Sequence, residues 1–398
     1  MGQGGFSKSR LARLHQVMAA HVEQGTVAGA VTLLSRHGET LVDALGYQDL
    51  VRRDAMRRDT IFRIASMTKP ITAVAAMMLV EECRLSLDAP LDPYLPELAN
   101  RRVLKRIDGP LDETEPASRP LTLRDLLTFR MGFGLILGPP GVYPIQRAMD
   151  EQALMSLTPA PPHTPDEWLR RLGTLPLMHQ PGERWMYHTG SDTLGVLIAR
   201  VAGQPFETFL KERIFDPLGM RDTGFFVPAA KLGRFASCYA PNASGALELL
   251  DDSQDSKWSR PPLFAAGGGG LVSTIDDYFA FGRLMLNKGK LGSERILARP
   301  TVELMLTDQI TPSQKANSPF SPGFWDGRGW GLGLSVITGR LNTAIGPGQF
   351  GWSGAFGSDW VSDPVEDQIS ILMVQRYQLG PGKIHEDFRT LAYQSLDD

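Results

Sequence analysis

Between Leu11 and Val22 the apolar residues Leu11, Leu14, Val17, Met18 and Val22 recur at helical spacing, and Gly25 supplies a stop. Val27 to Leu34 and Leu41 to Leu45 then read as strands around Arg36-His37-Gly38-Glu39, so a helix is followed by a hairpin. Thr60 to Ile64 is a further extended piece that leads into Ala65-Ser66-Met67-Thr68-Lys69-Pro70. Beyond it Ile71, Val74, Ala75, Met78 and Leu79 mark another helix. Pro70 fits only a helix's first turn, which predicts a start near Ser66.

The stretch from Leu87 to Thr122 is rich in proline and charge and reads as a surface connection. A short helix capped by Thr122 covers Leu121 to Leu127. Phe129 to Leu137 is an apolar, glycine-containing loop that serves equally as pocket lining or as core. Pro139 to Pro181 reads as a helical insertion with a helix near Asp166 to Leu172. After Pro181 to Thr189, Asp192 is placed to cap a helix over Thr193 to Val201 that Gly203 ends. Gln204 to Phe215 is a predicted helix and Asp216 to Met220 a turn. Phe264 to Leu271 is glycine-rich but lacks the Lys and Ser/Thr of a phosphate loop, which points to close backbone packing. Strand patterns return at Gly331 to Ile337, Trp360 to Ser362 and Gln368 to Tyr377. Ile384, Phe388 and Leu391 lie on one face of a last helix. Strands at both ends of the chain with helical material between them predict one sheet built from both termini and an inserted helical domain.

Composition changes little in this picture. The chain has 398 residues, 42% hydrophobic and 21% charged, and its 41 basic against 44 acidic residues leave a net charge of −3. That length allows two or three compact units or one large discontinuous fold. No basic run with interleaved aromatics suggests nucleic acid, and no apolar stretch reaches membrane-spanning length. The N-terminus lacks the charged and apolar regions of a signal peptide, which predicts a cytoplasmic protein. Cys83 and Cys238 are far apart without metal-ligand spacing, and buried free thiols are expected.

The candidate chemistry centres on Ser66. At a helix N-terminus its surroundings favour an alkoxide or a tetrahedral oxyanion, and Lys69 lies on the same helical face, three residues on. A serine hydroxyl needs a base, and a lysine desolvated by apolar packing can act as one. The alternative is a capping serine beside a solvated lysine. Tyr187 is a candidate second acid/base, because a tyrosinate beside an ammonium has a lowered pKa. Without the rest of the pattern, the residue reads first as an ordinary packing tyrosine. His188 invites a Ser-His-Asp reading, but no Gly-x-Ser-x-Gly elbow supports it. Gly351 to Gly357 puts small residues beside an aromatic. There a glycine lets substrate approach the backbone, and an N–H group that stabilises an oxyanion contributes about 3 kcal/mol.

Taken in order, Ser66-Met67-Thr68-Lys69, Tyr187-His188-Thr189 and Trp352-Ser353-Gly354 resemble the serine β-lactamase-like superfamily, specifically the family VIII carboxylesterases related to class C β-lactamases. The likeness covers nearly the whole chain, with Leu126-Leu127-Thr128, Pro181-Gly182, Asp216 to Met220 and Gly269-Gly270-Leu271 in support. The resemblance implies an α/β fold of the α+β type, with an antiparallel sheet flanked by helices in 1–75 and 255–398 and a mostly helical domain in 76–254. It implies that Ser66 is the acyl-accepting nucleophile and that Lys69 and Tyr187 share the proton traffic. Which of the two is the first base stays open, because coupled groups titrate as a pair. The backbone N–H groups of Ser66 and Ala355 would form the oxyanion hole. Phe129, Thr189, Trp352, Ser353 and Gly354 would contact substrate, and neither a metal nor an organic cofactor is needed.

Two departures bear on the substrate. Thr189 stands where β-lactamases have the Asn of Tyr-x-Asn, and Trp352-Ser353-Gly354 replaces Lys-Thr-Gly. A lysine there would attract a carboxylate, whereas Trp352 offers an apolar wall, which favours neutral short-chain carboxylic esters as small-molecule substrates. The alternatives are a β-lactamase, a D-amino-acid peptidase or an acyltransferase on the same site, and a non-catalytic ligand-binding relative. Retention of Ser66, Lys69 and Tyr187 argues against the last.

Overall fold

The computed structural model describes residues 3–154, 161–377 and 382–397. Eight strands form one antiparallel sheet in the order Arg328–Trp330, Ser335–Ile337, Phe350–Ser353, Asp359–Asp363, Gln368–Val374, Gly29–Arg36, Glu39–Asp49 and Asp54–Ala55. Both ends of the chain contribute. Gly29–Arg36 pairs with Gln368–Val374 on one side and with Glu39–Asp49 on the other. The hairpin between the first two strands turns on His37 and Gly38, both at positive φ as a two-residue loop of right-handed twist requires.

All eight residues of Gly29–Arg36 are buried because both faces of the sheet are covered. Val31 and Leu33, with Ile369, Ile371 and Met373, face the large core, whereas Ala30, Leu34, Leu372 and Val374 face the helices Lys8–Glu23 and Lys383–Gln394. Period-two alternation thus serves two apolar layers. The core-side layer includes the helices Ile275–Leu286, Thr68–Glu81 and Thr189–Ala202.

Several elements differ from their sequence readings. Phe350–Ser353 is an interior strand, bonded to Ser335–Ile337 and Asp359–Asp363, where the sequence marked only small residues beside an aromatic. The 331–337 stretch contributes a strand only at Ser335–Ile337, after the chain doubles back from Arg328–Trp330. The 204–215 helix is α over Phe206–Leu210 and π over Lys211–Phe215, and the expected turn at 216–220 is helical at Asp216–Leu218 before Gly219 ends it. Asp192 does not cap a helix. The Thr189–Ala202 helix begins three residues earlier, and the Asp192 carboxylate is spent elsewhere. Cys238 is buried but Cys83 is exposed, since it occupies a left-handed position just past the end of Thr68–Glu81. Thr122 does cap Leu123–Leu127, in a full capping box with Asp125. The proline-rich insertion forms Pro144–Glu151 and Pro165–Thr174, while its residues 155–160 lie outside the described set.

One ion pair ties the sheet to the last helix. Arg389 of Lys383–Gln394 grips Asp359 of the adjoining strand with Nη2–Oδ1 at 2.6 Å and Nε–Oδ2 at 2.9 Å, and Ser353 Oγ donates to the same carboxylate at 2.6 Å. Burial alone would push the Asp359 pKa up, but Arg389 and its hydrogen bonds hold it below the ordinary carboxylate value. Asp359→Ala strands a largely buried guanidinium, and a loss of about 3–5 kcal/mol is expected. The urea midpoint measures it. A carboxyl with a depressed pKa stabilises above its unfolded pKa and loses that contribution as pH falls through the folded one. The gap between variant and wild type should therefore narrow in acid.

Candidate active site

Ser66 sits in a single 3-10 turn, Ala65–Met67, whose first residue has φ 42, and the turn runs into Thr68–Glu81. Three bonds from the core side fix it. Ile64 N–H donates to Leu271 O at 3.0 Å, Tyr278 Oη donates to Met67 O at 2.8 Å, and Thr72 Oγ1 donates to Gly267 O at 2.7 Å. The helix is buried on every side from Thr68 to Leu79, so it is a core helix and Lys69, one turn from Ser66, has no exposed surface.

Lys69 Nζ lies 2.9 Å from Ser66 Oγ, 2.5 Å from Gly268 O and 3.2 Å from His188 Nδ1. Burial lowers its pKa to about 7, opposed only in part by the charge of Asp192. Tyr187 places its ring over the amine, 4.5 Å from centroid to Nζ, and its hydroxyl bonds to Ser66 and accepts from Trp352 Nε1 at 2.7 Å. Burial pushes the Tyr187 phenol up, outweighing both hydrogen bonds. The residue therefore stays a phenol at neutral pH, rather than the tyrosinate that sequence reasoning allowed.

The other wall is the Phe350–Ser353 strand. Alternation sends Trp352 toward Tyr187 and Ser353 to the opposite face, where its hydroxyl is held by Asp359. Gly354 then passes against the serine turn so closely that a Cβ would lie 2.3 Å from Ile64 O. Only glycine fits there. The approach packs Ala355 into one cluster with Ala65, and neither the Ser66 nor the Ala355 N–H has an acceptor among the described residues. Such a pair is suited to an oxyanion.

The remaining expected contacts are placed further back. Phe129 has no exposed surface and stands edge-on behind Tyr187, 5.4 Å between centroids, as a platform rather than a pocket wall. Thr189 is buried as the first residue of its helix. Trp185, Phe320, Trp330 and Trp352 complete an aromatic box around the Tyr187 ring. Of these, Phe320 and Trp330 were missed by sequence reasoning, although Phe320, Phe324, Trp325 and Trp330 crowd one short stretch. A cleft of about 360 Å³ lined by Pro161, Pro162, Phe225, Trp258, Leu263 and Phe264 reaches His188 and Gly269, and Trp258 also packs on Phe356 beside Ala355. Among the described residues no three His, Cys, Asp or Glu side chains gather as a metal set. No helix among them is long and apolar enough to cross a membrane.

Sequence reasoning weighed His188 only as a triad base and Asp192 only as a helix cap, and did not join the two. His188 adopts φ 88, ψ −63, a conformation that costs a non-glycine residue on the order of 1–3 kcal/mol. Its Nε2 meets Asp192 Oδ2 at 3.1 Å, while Asp192 Oδ1 accepts Gly268 N–H at 2.7 Å.

Fold and site together define a serine enzyme of the hydrolase and acyltransferase class on a β-lactamase/transpeptidase-like fold. The model of the family described as Beta-lactamase matches residues 14–394, and the chain belongs to that family. It is 40% identical over 359 residues to Protein Rv1367c of Mycobacterium tuberculosis, covering 89% of this chain and 87% of the relative. To Esterase EstB of Burkholderia gladioli it is 31% identical over 377 residues, covering 89% and 88%. Among solved structures, EstCE1, a hydrolase with promiscuous acyltransferase activity, superposes with a TM-score of 0.80 at 25% identity, covering 97% of this chain and 99% of that one.

The closeness of Gly354 to the serine turn is testable. Gly354→Val must push the strand off Ile64, with an expected cost of about 1–3 kcal/mol in thermal or urea unfolding. A fall in the rate at which a fluorophosphonate labels the protein should accompany it, since Ala355 is then carried away from the serine turn.

Proposed function

We propose that the protein is a serine carboxylesterase that hydrolyses short-chain carboxylic esters through an acyl-enzyme on Ser66. The observation that carries this is the buried Lys69 amine, its pKa lowered by desolvation to about 7, within hydrogen-bond reach of Ser66 Oγ. Lys69 is the first base, because its pKa lies near neutrality while that of Tyr187 is raised. As Ser66 Oγ attacks the ester carbonyl, its proton passes to Lys69 and the oxyanion is held by the N–H groups of Ser66 and Ala355. Tyr187, protonated and bonded to Ser66, gives the leaving alkoxide a proton that the Lys69 ammonium replaces. Water then resolves the acyl-enzyme by the reverse route. The site lies where a sheet domain, 1–75 with 255–398, meets a helical domain, 76–254.

Trp352 supports the choice of neutral esters. It presents an indole N–H to Tyr187 and no cation to a substrate carboxylate. The likeness to EstB, named an esterase, favours the same reading. Transfer of the acyl group to an alcohol is the second reading, favoured by the likeness to EstCE1.

A fluorophosphonate adduct mapped by mass spectrometry should fall on Ser66, with faster turnover of p-nitrophenyl acetate and butyrate than of octanoate or nitrocefin. Dominant nitrocefin turnover would make the protein a β-lactamase instead, and ester formation in the presence of an added alcohol would make it an acyltransferase. Lys69→Met is expected to cost roughly 10²–10⁴-fold in kcat. In the wild type kcat/KM should rise as pH passes about 7, because Lys69 acts as a base only after losing its proton. A profile flat from pH 5 to 9 would remove Lys69 from that role.

A further inference from the structure

Behind the nucleophile four groups close a ring. Lys69 Nζ faces both His188 Nδ1 and Gly268 O, His188 Nε2 faces Asp192 Oδ2, and Asp192 Oδ1 receives Gly268 N–H. Gly268 therefore supplies an acceptor at one end and a donor at the other. A side chain on it would lie 2.8 Å from Asp192 Oδ1 and 3.0 Å from His188 Cε1, so the ring closes only around glycine. All three side chains are buried, and His188 holds its place in a backbone conformation unfavourable to it. No ion pair joins the aspartate to the lysine directly: the imidazole stands between them, and the carboxylate reaches the amine through that contact chain and through its charge.

The geometry fixes the proton positions. A carboxylate opposite Nε2 requires the proton there, which leaves the Nδ1 lone pair facing Lys69. A neutral amine has two N–H bonds and one lone pair, and two acceptors stand ready for the N–H bonds.

We propose that His188, set by Asp192, is a positioning residue for Lys69. Its Nδ1 and the Gly268 carbonyl accept both N–H bonds of the neutral amine, so that the remaining lone pair points at Ser66 Oγ. In the step this prepares, the Ser66 O–H bond breaks and its proton forms a third N–H bond on Nζ. The freed oxygen pair bonds to the ester carbonyl carbon, and the carbonyl π pair moves to the oxyanion. The inference rests on the serine-hydrolase reading above and adds an orienting device that the Ser66, Lys69 and Tyr187 set does not contain.

Kinetics separate this role from packing. His188→Leu removes the acceptor and is expected to lower kcat for p-nitrophenyl acetate on the order of 10²-fold with KM little changed. His188→Asn, which restores an acceptor oxygen, should recover part of that loss. Asp192→Asn lets the imidazole carry its proton on Nδ1, toward Lys69, so kcat should fall there too. It also removes the carboxylate charge that favours the ammonium, so the acid limb of kcat/KM should move to lower pH. The titratable groups facing Lys69 are His188, Asp192 and Tyr187, all from residues 187–192, while Ser66 and the glycine-rich segment offer it only uncharged groups. Equal losses in His188→Leu and His188→Asn together with an unmoved acid limb in Asp192→Asn would reduce the ring to scaffolding and overturn the proposal. Unchanged kcat in all three variants would do the same. Ester turnover that survives Ser66→Ala would instead refute the catalytic reading beneath it. Thermal midpoints of the variants show whether each has folded.

Discussion

The rest of the site depends on keeping one amine out of water. An ammonium stripped of solvent costs several kcal/mol even after the protein relaxes around it, and a direct carboxylate partner would repay that cost by fixing the charge. This chain supplies no such partner. It buries Lys69 on a helix with no wet face and puts the nearest carboxylate, Asp192, one imidazole away. At that remove Asp192 offsets only part of the desolvation, and the balance falls near neutrality. A base has to be free to accept a proton and to release it, and a lysine paired directly with an aspartate would do only the second with difficulty.

Holding that amine against Ser66 requires backbone from distant parts of the sequence. The serine turn hangs on Leu271 and Tyr278, the amine on Gly268, and the opposite wall on a strand more than 280 residues along. The sheet makes this possible because its strands come from both ends of the chain. Phe350–Ser353 is fixed on both edges by hydrogen bonds, and its Ser353 hydroxyl is tied to the ion pair between Asp359 and Arg389. Gly354 can then approach Ile64 without the strand being free to retreat.

Much of this was legible in the sequence, for identifiable reasons. The first helix, the hairpin and the helix after Ser66 announce themselves through periodicity, and the Thr122 cap through its side-chain chemistry. The close packing of the glycine-rich segment was readable because residues without side chains have little other use in a row. Phe350–Ser353 was obscured because Gly351 and Gly354 weaken the strand pattern at the positions where backbone must approach backbone. Asp192 looked like a cap because aspartate near a helix start usually is one, and only the fold shows the helix beginning at Thr189 with the carboxylate turned inward. Ser353 neighbours Trp352 in sequence, but strand alternation turns its hydroxyl toward Asp359, and Phe129 packs edge-on behind Tyr187. Burial likewise decided the state of Tyr187, a quantity no motif encodes.

That last point bears on how the proton traffic is divided. The aromatic box excludes water from Tyr187 on nearly every side, so ionising the phenol would place a bare charge among Phe129, Trp185, Trp330 and Trp352. The one polar contact the box offers, Trp352 Nε1, is a neutral donor of modest strength and does not reverse the effect of burial. Two groups that might have competed for one proton are thereby driven apart, the lysine down and the tyrosine up, by the same physical cause acting on opposite charge types. On the proposed mechanism, separation of this kind divides the roles of acid and base without either group needing a charged partner in contact. On the proposed esterase reading, the Trp352 indole then meets a substrate with apolar surface where a lysine would present charge, which favours neutral esters.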